Sequence, residues 1–389
     1  MPVSSSSLMT VIDDSDPVLG KLAEVPAAPA GLWECVQQVA DPRRRRGVRH
    51  PIAGIVALAL AATLAGAQSF VAIGEWAADA GGTGLAELGI EGTVPCESTI
   101  RRCLQRLDPA RLDALIGAWM WLRTRTSGGR RVIAFDGKSL RGSCDEAGHL
   151  THLLAALCQH TGTVLGQVTV GAKTNEIPLL RTLLATMDIK DAVITADALH
   201  CQRATARDIV AQGGHYILTV KNNQRTLRKQ LKALPWKQIP ILSTDAERGH
   251  GRIATRTLKA TEVTAGIGFP YAVQVLQLTR KTHRHRGDRL HTEVVYAVTS
   301  LSAAAAKPDQ IASWLRGHWA IENRLHWVRD VSFDEDRSQT RTQGGPQVMA
   351  TLRNTVISLL RLDGHPNIAS ARRHHARNPQ RPIKLILTS

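Results

Sequence analysis

GRRVIAFDGKSLRGS, residues 129–143, is where the chain changes character. Upstream of it, apolar residues recur at helical spacing. From Arg131 a short run, RVIAF, reads instead as a buried strand that stops at Asp136 and Gly137. AVITAD (192–197) repeats the pattern, an apolar run and then Asp197. Between them, residues 149–171 predict a hairpin turning near Thr161 and Gly162, and EIPLLRTLLATM (176–187) predicts a helix. Strand, hairpin, helix, strand is a mixed α/β order in which the two acid-ended strands are central and parallel. As neighbours, they bring Asp136 and Asp197 to one edge of the sheet. An Asp at a strand end can also do no more than cap a turn; two with the same setting argue for more.

Downstream, a helix is expected near 202–212, a strand at HYILTV (215–220) and a turn at KNNQ (221–224). From 236 to 300 the pattern is β, with runs such as YAVQVLQLT (271–279) and EVVYAVTS (293–300), and reads as an inserted β subdomain. WLRGHWAIENRLHWVRDVSFDEDR (314–337) then predicts a helix. At about 100° per residue, Trp314, Ile321, Leu325 and Val328 form one apolar stripe; Leu315, His318, Glu322, His326 and Arg329 form the next. A carboxylate beside the buried face, flanked by bases, is placed to lean over a sheet. Residues 346–362 predict a further helix, and 366–389 a basic tail.

Three carboxylates without cysteine suit hard cations such as Mg²⁺ or Mn²⁺. Two such ions about 4 Å apart serve phosphoryl transfer. The spacing of His318, Glu322 and His326 offers a zinc site instead, but three ligands over two helical turns span about 12 Å, too far for one ion. His283, His285, His374 and His375 lie in basic tracts and read as solvated or phosphate-facing.

The chain of 389 residues is 43% apolar and carries 49 Lys and Arg against 33 Asp and Glu, a net +16. Basic clusters at 43–49, 123–131, 280–289 and 372–377 imply a polyanionic partner, most simply nucleic acid. The six cysteines have no CxxC spacing and read as reduced thiols in a cytoplasmic protein. Residues 1–30 read as a flexible leader without the pattern of a signal peptide. The charge-free run 51–74 is long enough to span a bilayer, but Ala, Gly, Thr63, Gln68 and Ser69 make it a poor span and favour a buried helix continuing through 70–77. PCESTIRRCLQRLD (95–108) predicts a helix with Ile100, Cys103, Leu104 and Leu107 inward and Arg101, Arg102 and Arg106 outward. It is either the reading helix of a helix-turn-helix or an ordinary amphipathic helix.

AFDGKSLRGS (134–143), TNEIP (174–178), TADALHCQ (195–202), KNNQ (221–224), GHGR (249–252) and HWAIENRLHW with DVSF and ED (318–336) resemble, in this order, the signature blocks of bacterial insertion-sequence DDE transposases, nearest the ISAs-type or H-repeat-associated branch. DPRRRRGVRHPIAGIVALALAATLAGAQSFVAIGEWA (41–77) resembles that branch's helical N-terminal domain. The resemblance implies a helical domain over 31–127, a ribonuclease-H-like core over 128–235 and 301–365, and a β insertion over 236–300. It places the acidic triad on Asp136, Asp197 and Glu322, with two Mg²⁺ or Mn²⁺ ions. The broader group has Tyr, Arg, Glu and Lys on the helix where this chain has Leu315, His318, Glu322 and Arg329. An acid usual two residues after GHGR is Ala254 here.

The expected function is binding of the element's terminal inverted repeats in double-stranded DNA, cleavage there, and joining of the 3′ ends to target DNA by a homodimer in the synaptic complex. Asp136 would bridge both ions, and His318, His326 and Arg329 would steady the scissile phosphate or Glu322. Lys138, Arg141, Lys173, Lys221, Asn222, His250, Arg252 and Arg256, with Arg101 and Arg102, are the expected DNA contacts. The alternatives are a structure-specific nuclease of the same fold, or a DNA-binding protein derived from a transposase that no longer cuts.

Overall fold

The computed structural model describes residues 30–46, 48–124, 129–144, 148–170, 176–249, 252–284 and 291–389. Of the expected leader only Ala30 falls among them.

Among the described residues five helices come first: α1 (Leu32–Gln37), α2 (Ile52–Ala65), α3 (Phe70–Ala86), α4 (Glu97–Arg106) and α5 (Pro109–Arg123). The charge-free run does not continue as one helix. Gly66 closes α2 in the left-handed region at φ 118°, and Ser69 opens α3 by accepting a hydrogen bond from the Ala72 amide. The two helices cross at 95°, and α2 is buried on every side from Ile55 to Leu64. Among the described residues no single helix is long and apolar enough to cross a membrane. In α4, Ile100, Cys103 and Leu104 face inward, as the spacing predicts.

The described strands form one nine-stranded sheet, β1 (Val132–Leu140), β2 (Thr151–Cys158), β3 (Val164–Val170), β4 (Val193–Ala196), β5 (His215–Val220), β6 (Ser243–Gly249), β7 (Arg252–Glu262), β8 (Gln274–Arg284) and β9 (His291–Thr299). Their order is β3-β2-β1-β4-β5-β9-β8-β7-β6. β2 runs antiparallel to β1, while β1, β4 and β5 are mutually parallel. β9 pairs antiparallel with β5. The β-rich segment expected as an insertion therefore extends the central sheet by four strands rather than standing apart from it.

Helices α6 (Glu176–Leu184), α7 (Arg203–Ala211) and α8 (Arg225–Ala233) connect the central strands and the extension. Alternation along the strands sorts residues between two faces. Val132, Val193, Ile217, Leu276 and Ala297 pack against Ile311, Trp314 and Leu315 of α9 (Pro308–Gly317). Ile133, Phe135, Ile194, Tyr216 and Leu218 join the larger core shared with the N-terminal helices.

The helix expected over 314–337 is interrupted by a π-helical turn at Glu322–His326, resumes as α10 (Trp327–Phe333) and ends where Asp334 takes the left-handed conformation. Ile321, Leu325 and Val328 enter the larger core while Trp314 packs in the other cluster, so the stripe serves two faces. α11 (Gly345–Leu362), α12 (Ile368–Ala376) and α13 (Gln380–Thr388) close the chain. The expected basic tail is thus helical and packed: Ile383 and Ile386 are fully buried, and the Leu32 amide bonds the Ser389 carbonyl at 3.0 Å.

Candidate active site

β1 does not stop at Asp136. It runs on to Leu140, because β2 keeps pairing with it, Asp136 opposite Ala155. β4 does stop, at Ala196, and the Asp197 carboxylate accepts from the Leu199 amide at 2.8 Å to start a short turn. Phe135 stands opposite Ala196 in the parallel register, so Asp136 and Asp197, one residue on, are level. Parity then fixes their side. Val132, Ala134 and Asp136 share one face of β1; Val193, Thr195 and Asp197 share the same face of β4. That face is the one α9 covers.

Gln159 pins the helix there, its amide donating to Thr195 Oγ1 at 2.8 Å and to the Trp314 carbonyl at 3.2 Å. A Cβ on Gly317 would lie 2.1 Å from Gln159 Oε1, so a larger residue there would displace the Gln159 amide from these bonds. Arg316 fastens the outer side, donating to Asp245 and Glu247 of β6 at 2.8 Å each. The π-helical turn then sets Glu322 and His326 over Asp136. His326 Nδ1 is 3.6 Å from Asp136 Oδ2 and 3.5 Å from Glu322 Oε2. Donor atoms of Asp136, Glu322 and His326 all lie within 4.8 Å of one another.

The electrostatics suit a cation. Burial and then the neighbouring charges of Glu322 and Asp197 push the Asp136 carboxyl above the usual carboxylate range. Crowded acids of this kind need a proton or a metal ion between them. His326 is 4% exposed, and its Nε2 has no hydrogen-bond partner. Burial holds its ring below the usual histidine range, and pushes His318 down to about 4. Both are neutral near pH 7. The donors, carboxylate oxygens with one neutral imidazole, fit a divalent ion such as Mg²⁺ or Mn²⁺.

The structure brings together Asp136, Asp197, Glu322, His318 and His326; His318 Nδ1 sits 3.4 Å from Thr195 Oγ1, and the Asp197 charge reaches it. It does not bring Arg329 there. One extra residue in a π-helical turn shifts the helix phase by about 100°. Arg329 is turned inside, fully buried, donating to Glu335 at 2.7 and 2.9 Å and to Asn354 at 3.3 Å. Lys138 is likewise engaged, 2.6 Å from Asp330 and 3.7 Å from Asp336 and only 9% exposed. Arg256 is held by Glu247 at 3.1 Å and Asp245 at 3.6 Å. Arg101 bonds Glu97 at 2.8 Å, and the Arg102 side chain bonds the Ser98 carbonyl at 2.9 Å. Lys221, Asn222 and Arg141 are exposed. Lys221 lies near enough to His318 for its charge to be felt there. Lys173 and His250 lie outside the described residues; Arg252 begins β7.

One group escapes a reading by spacing. Behind Gly137, Glu176 is hydrogen-bonded to His152 and lies 3.3 Å from His200. A Cβ on Gly137 would lie 2.0 Å from Glu176 Oε1, so a side chain after Asp136 would push Glu176 and His152 aside. Burial raises the Glu176 pKa, but the two histidines outweigh it and hold it at about 2. His152, Glu176 and His200 come from β2, α6 and the turn after β4, so only the fold joins them. The TNEIP and TADALHCQ blocks contain Glu176 and His200; His152 lies in neither.

A family model described as "Transposase DDE domain" matches residues 127–359, and one described as "DDE_Tnp_1-associated" matches residues 33–120. YbfL of Escherichia coli strain K12 is 31% identical over 350 residues, covering 85% of this chain and 90% of its own. The "H repeat-associated putative transposase YhhI" of the same strain is 30% identical over the same length and coverage. A solved piggyBac transposase synaptic complex with hairpin DNA aligns over 96% of this chain and 80% of its own at 10% identity and a TM-score of 0.40, too distant a likeness to carry weight.

Proposed function

The chain belongs to the DDE transposase family, in its H-repeat-associated branch, and from that premise of a metal-dependent DNA transposase we propose that it binds the inverted repeats ending its own element, cuts there and joins the 3′ ends to target DNA. The observation that supports the reading is the level register of Asp136 and Asp197 on parallel neighbours, with Glu322 and His326 brought beside Asp136 by the helix. Asp136, Asp197 and Glu322 would hold the divalent ions, with His326 beside the first and last. When bound, two such ions activate the attacking oxygen and stabilise the leaving one.

The protein's own groups position and neutralise. His318, neutral and held beside Thr195, can hydrogen-bond a phosphate oxygen without charging. Lys221 and Asn222 are exposed and can meet the DNA backbone; Arg141, exposed but 3.6 Å from Asp336, would have to leave that acid to do so. The strand order β3-β2-β1-β4-β5 with antiparallel β2 supports a ribonuclease-H-like core over 128–235 and 301–365, flanked by the helical unit 31–127; Arg101 and Arg102 on α4 are its candidate DNA contacts. Net charge +16 fits a DNA partner; work in the cytoplasm and synapsis of two ends by two copies belong to the same proposal.

Incubating the protein with linear element ends, a target plasmid and Mg²⁺ tests the reading. Joined products are expected. Cut ends with no joining would assign a nuclease; bound but uncut DNA would assign a binding protein.

A further inference from the structure

Far from the carboxylates, the turn between α11 and α12 gathers three donor groups. Gly364, at φ 83°, ends α11; the Asp363 amide returns to Leu359 at 2.9 Å and the His365 amide to Leu360 at 2.8 Å. This fixed turn sets His365 Nε2 3.1 Å from Asp363 Oδ2. Asn367 then caps α12 by accepting from the Ser370 amide at 2.9 Å, and the last turn of α12 carries His375 back over the pair. Donor atoms of Asp363, His365 and His375 all lie within 4.8 Å of one another.

His375 gives the cluster its meaning. It is 5% exposed, and neither ring nitrogen has a hydrogen-bond partner. A buried polar group left unpaired costs about 1–3 kcal/mol, so such groups ordinarily have a partner. His375 is therefore not the solvated or phosphate-facing residue its basic tract suggests. The Asp363 carboxylate would repel a phosphate here.

We propose that Asp363, His365 and His375 form a binding site for one divalent transition ion of the Zn²⁺ type, separate from the carboxylate site. Two imidazoles and a carboxylate are the donors such ions prefer, whereas Mg²⁺ favours an all-oxygen shell. The role is structural. α11 carries Arg353 and Asn354 to the Glu335 and Arg329 side chains. From α12, Arg372 lies 4.2 Å over the Phe333 ring and donates to the Gly66 carbonyl at 2.7 Å. An ion clipping α11 to α12 steadies the helices that back α10.

The test uses the full chain carrying Asp136→Ala, which removes one donor of the Asp136, Glu322 and His326 set, stripped with chelator and titrated with Zn²⁺ by calorimetry and with Co²⁺ by visible absorption. One equivalent per chain is expected, with Co²⁺ d–d bands and a higher Tm in Zn²⁺. His365→Ala and Asp363→Asn, both on partly exposed side chains, should each weaken binding more than about tenfold and abolish the Tm rise. Absence of uptake by the parent, or one equivalent retained at unchanged affinity in both variants, would overturn the proposal.

Discussion

Arg329 and Glu335 form a two-pronged ion pair at 2.7 and 2.9 Å with both side chains closed off from solvent, and Arg353 adds a third bond to the same carboxylate at 2.8 Å. Removing one partner of a buried pair strands the other charge and costs about 3–5 kcal/mol. Arg329→Ala is therefore expected to lower the stability of the chain by that order, read by urea unfolding. Wild-type stability with lost DNA cleavage would instead return Arg329 to the phosphate.

Glu335 also sets an acid limit. Burial raises its pKa, but Arg329 and Arg353 outweigh burial and hold it at about 2, below the roughly 4.3 of an unfolded chain. The folded state then binds fewer protons between those values, so stability is present above about pH 4.3 and is lost as pH falls toward 2. Glu335→Gln should flatten that limb of the stability profile while lowering its plateau.

Asp113 has the opposite sign. Its carboxyl, facing Thr351 Oγ1 at 2.8 Å and the Gln167 amide at 3.1 Å, is raised by burial to about 7. Thr351 also reaches the Gln347 carbonyl at 2.9 Å and has one proton to donate, so a protonated Asp113 completes the chain of hydrogen bonds. The folded state holds that proton from about pH 4 to 7 while the unfolded chain has released it, and stability falls across this window. Asp113→Asn should shrink the loss measured between pH 5 and pH 8.

The cations around the site divide by what they touch. Lys221 is exposed, whereas Lys138 is tied to Asp330 and Asp336. Each phosphate contact contributes about 0.9 to the slope of log affinity against log salt. Lys221→Ala should lower that slope by about one in DNA-binding titrations, and Lys138→Gln should leave it unchanged. Equal losses would mean that Lys138 leaves its acids for DNA.

The sequence reading was strongest where local pattern suffices. The apolar runs before Asp136 and Asp197, the hairpin and the helix after it all form close to where the pattern puts them. Periodicity tells which residues share a face but not what covers that face. Arg329 next to an apolar stripe looks the same whether its partner is a phosphate or the side chains of Glu335 and Asn354. The π-helical turn, one residue of extra winding, has no composition signal and changes where everything after it points. The pairing of β5 with β9, some 80 residues apart, is likewise invisible to a window, so strands extending the sheet read as a separate unit. His375 follows the same rule: its basic neighbours are local and visible in the sequence, and its burial comes from the packing of α11 and α12.

The most direct test of the account is cleavage of DNA carrying the element's flanking repeats in Mg²⁺ or Mn²⁺, with wild type beside Asp136→Ala, Asp197→Ala and Glu322→Ala, and DNA binding measured in parallel. Cutting at the repeat ends is expected of wild type alone, all three variants losing it by a factor of roughly a thousand or more while still binding DNA. Cutting that survives loss of any one of the three carboxylates at near wild-type rate would contradict it.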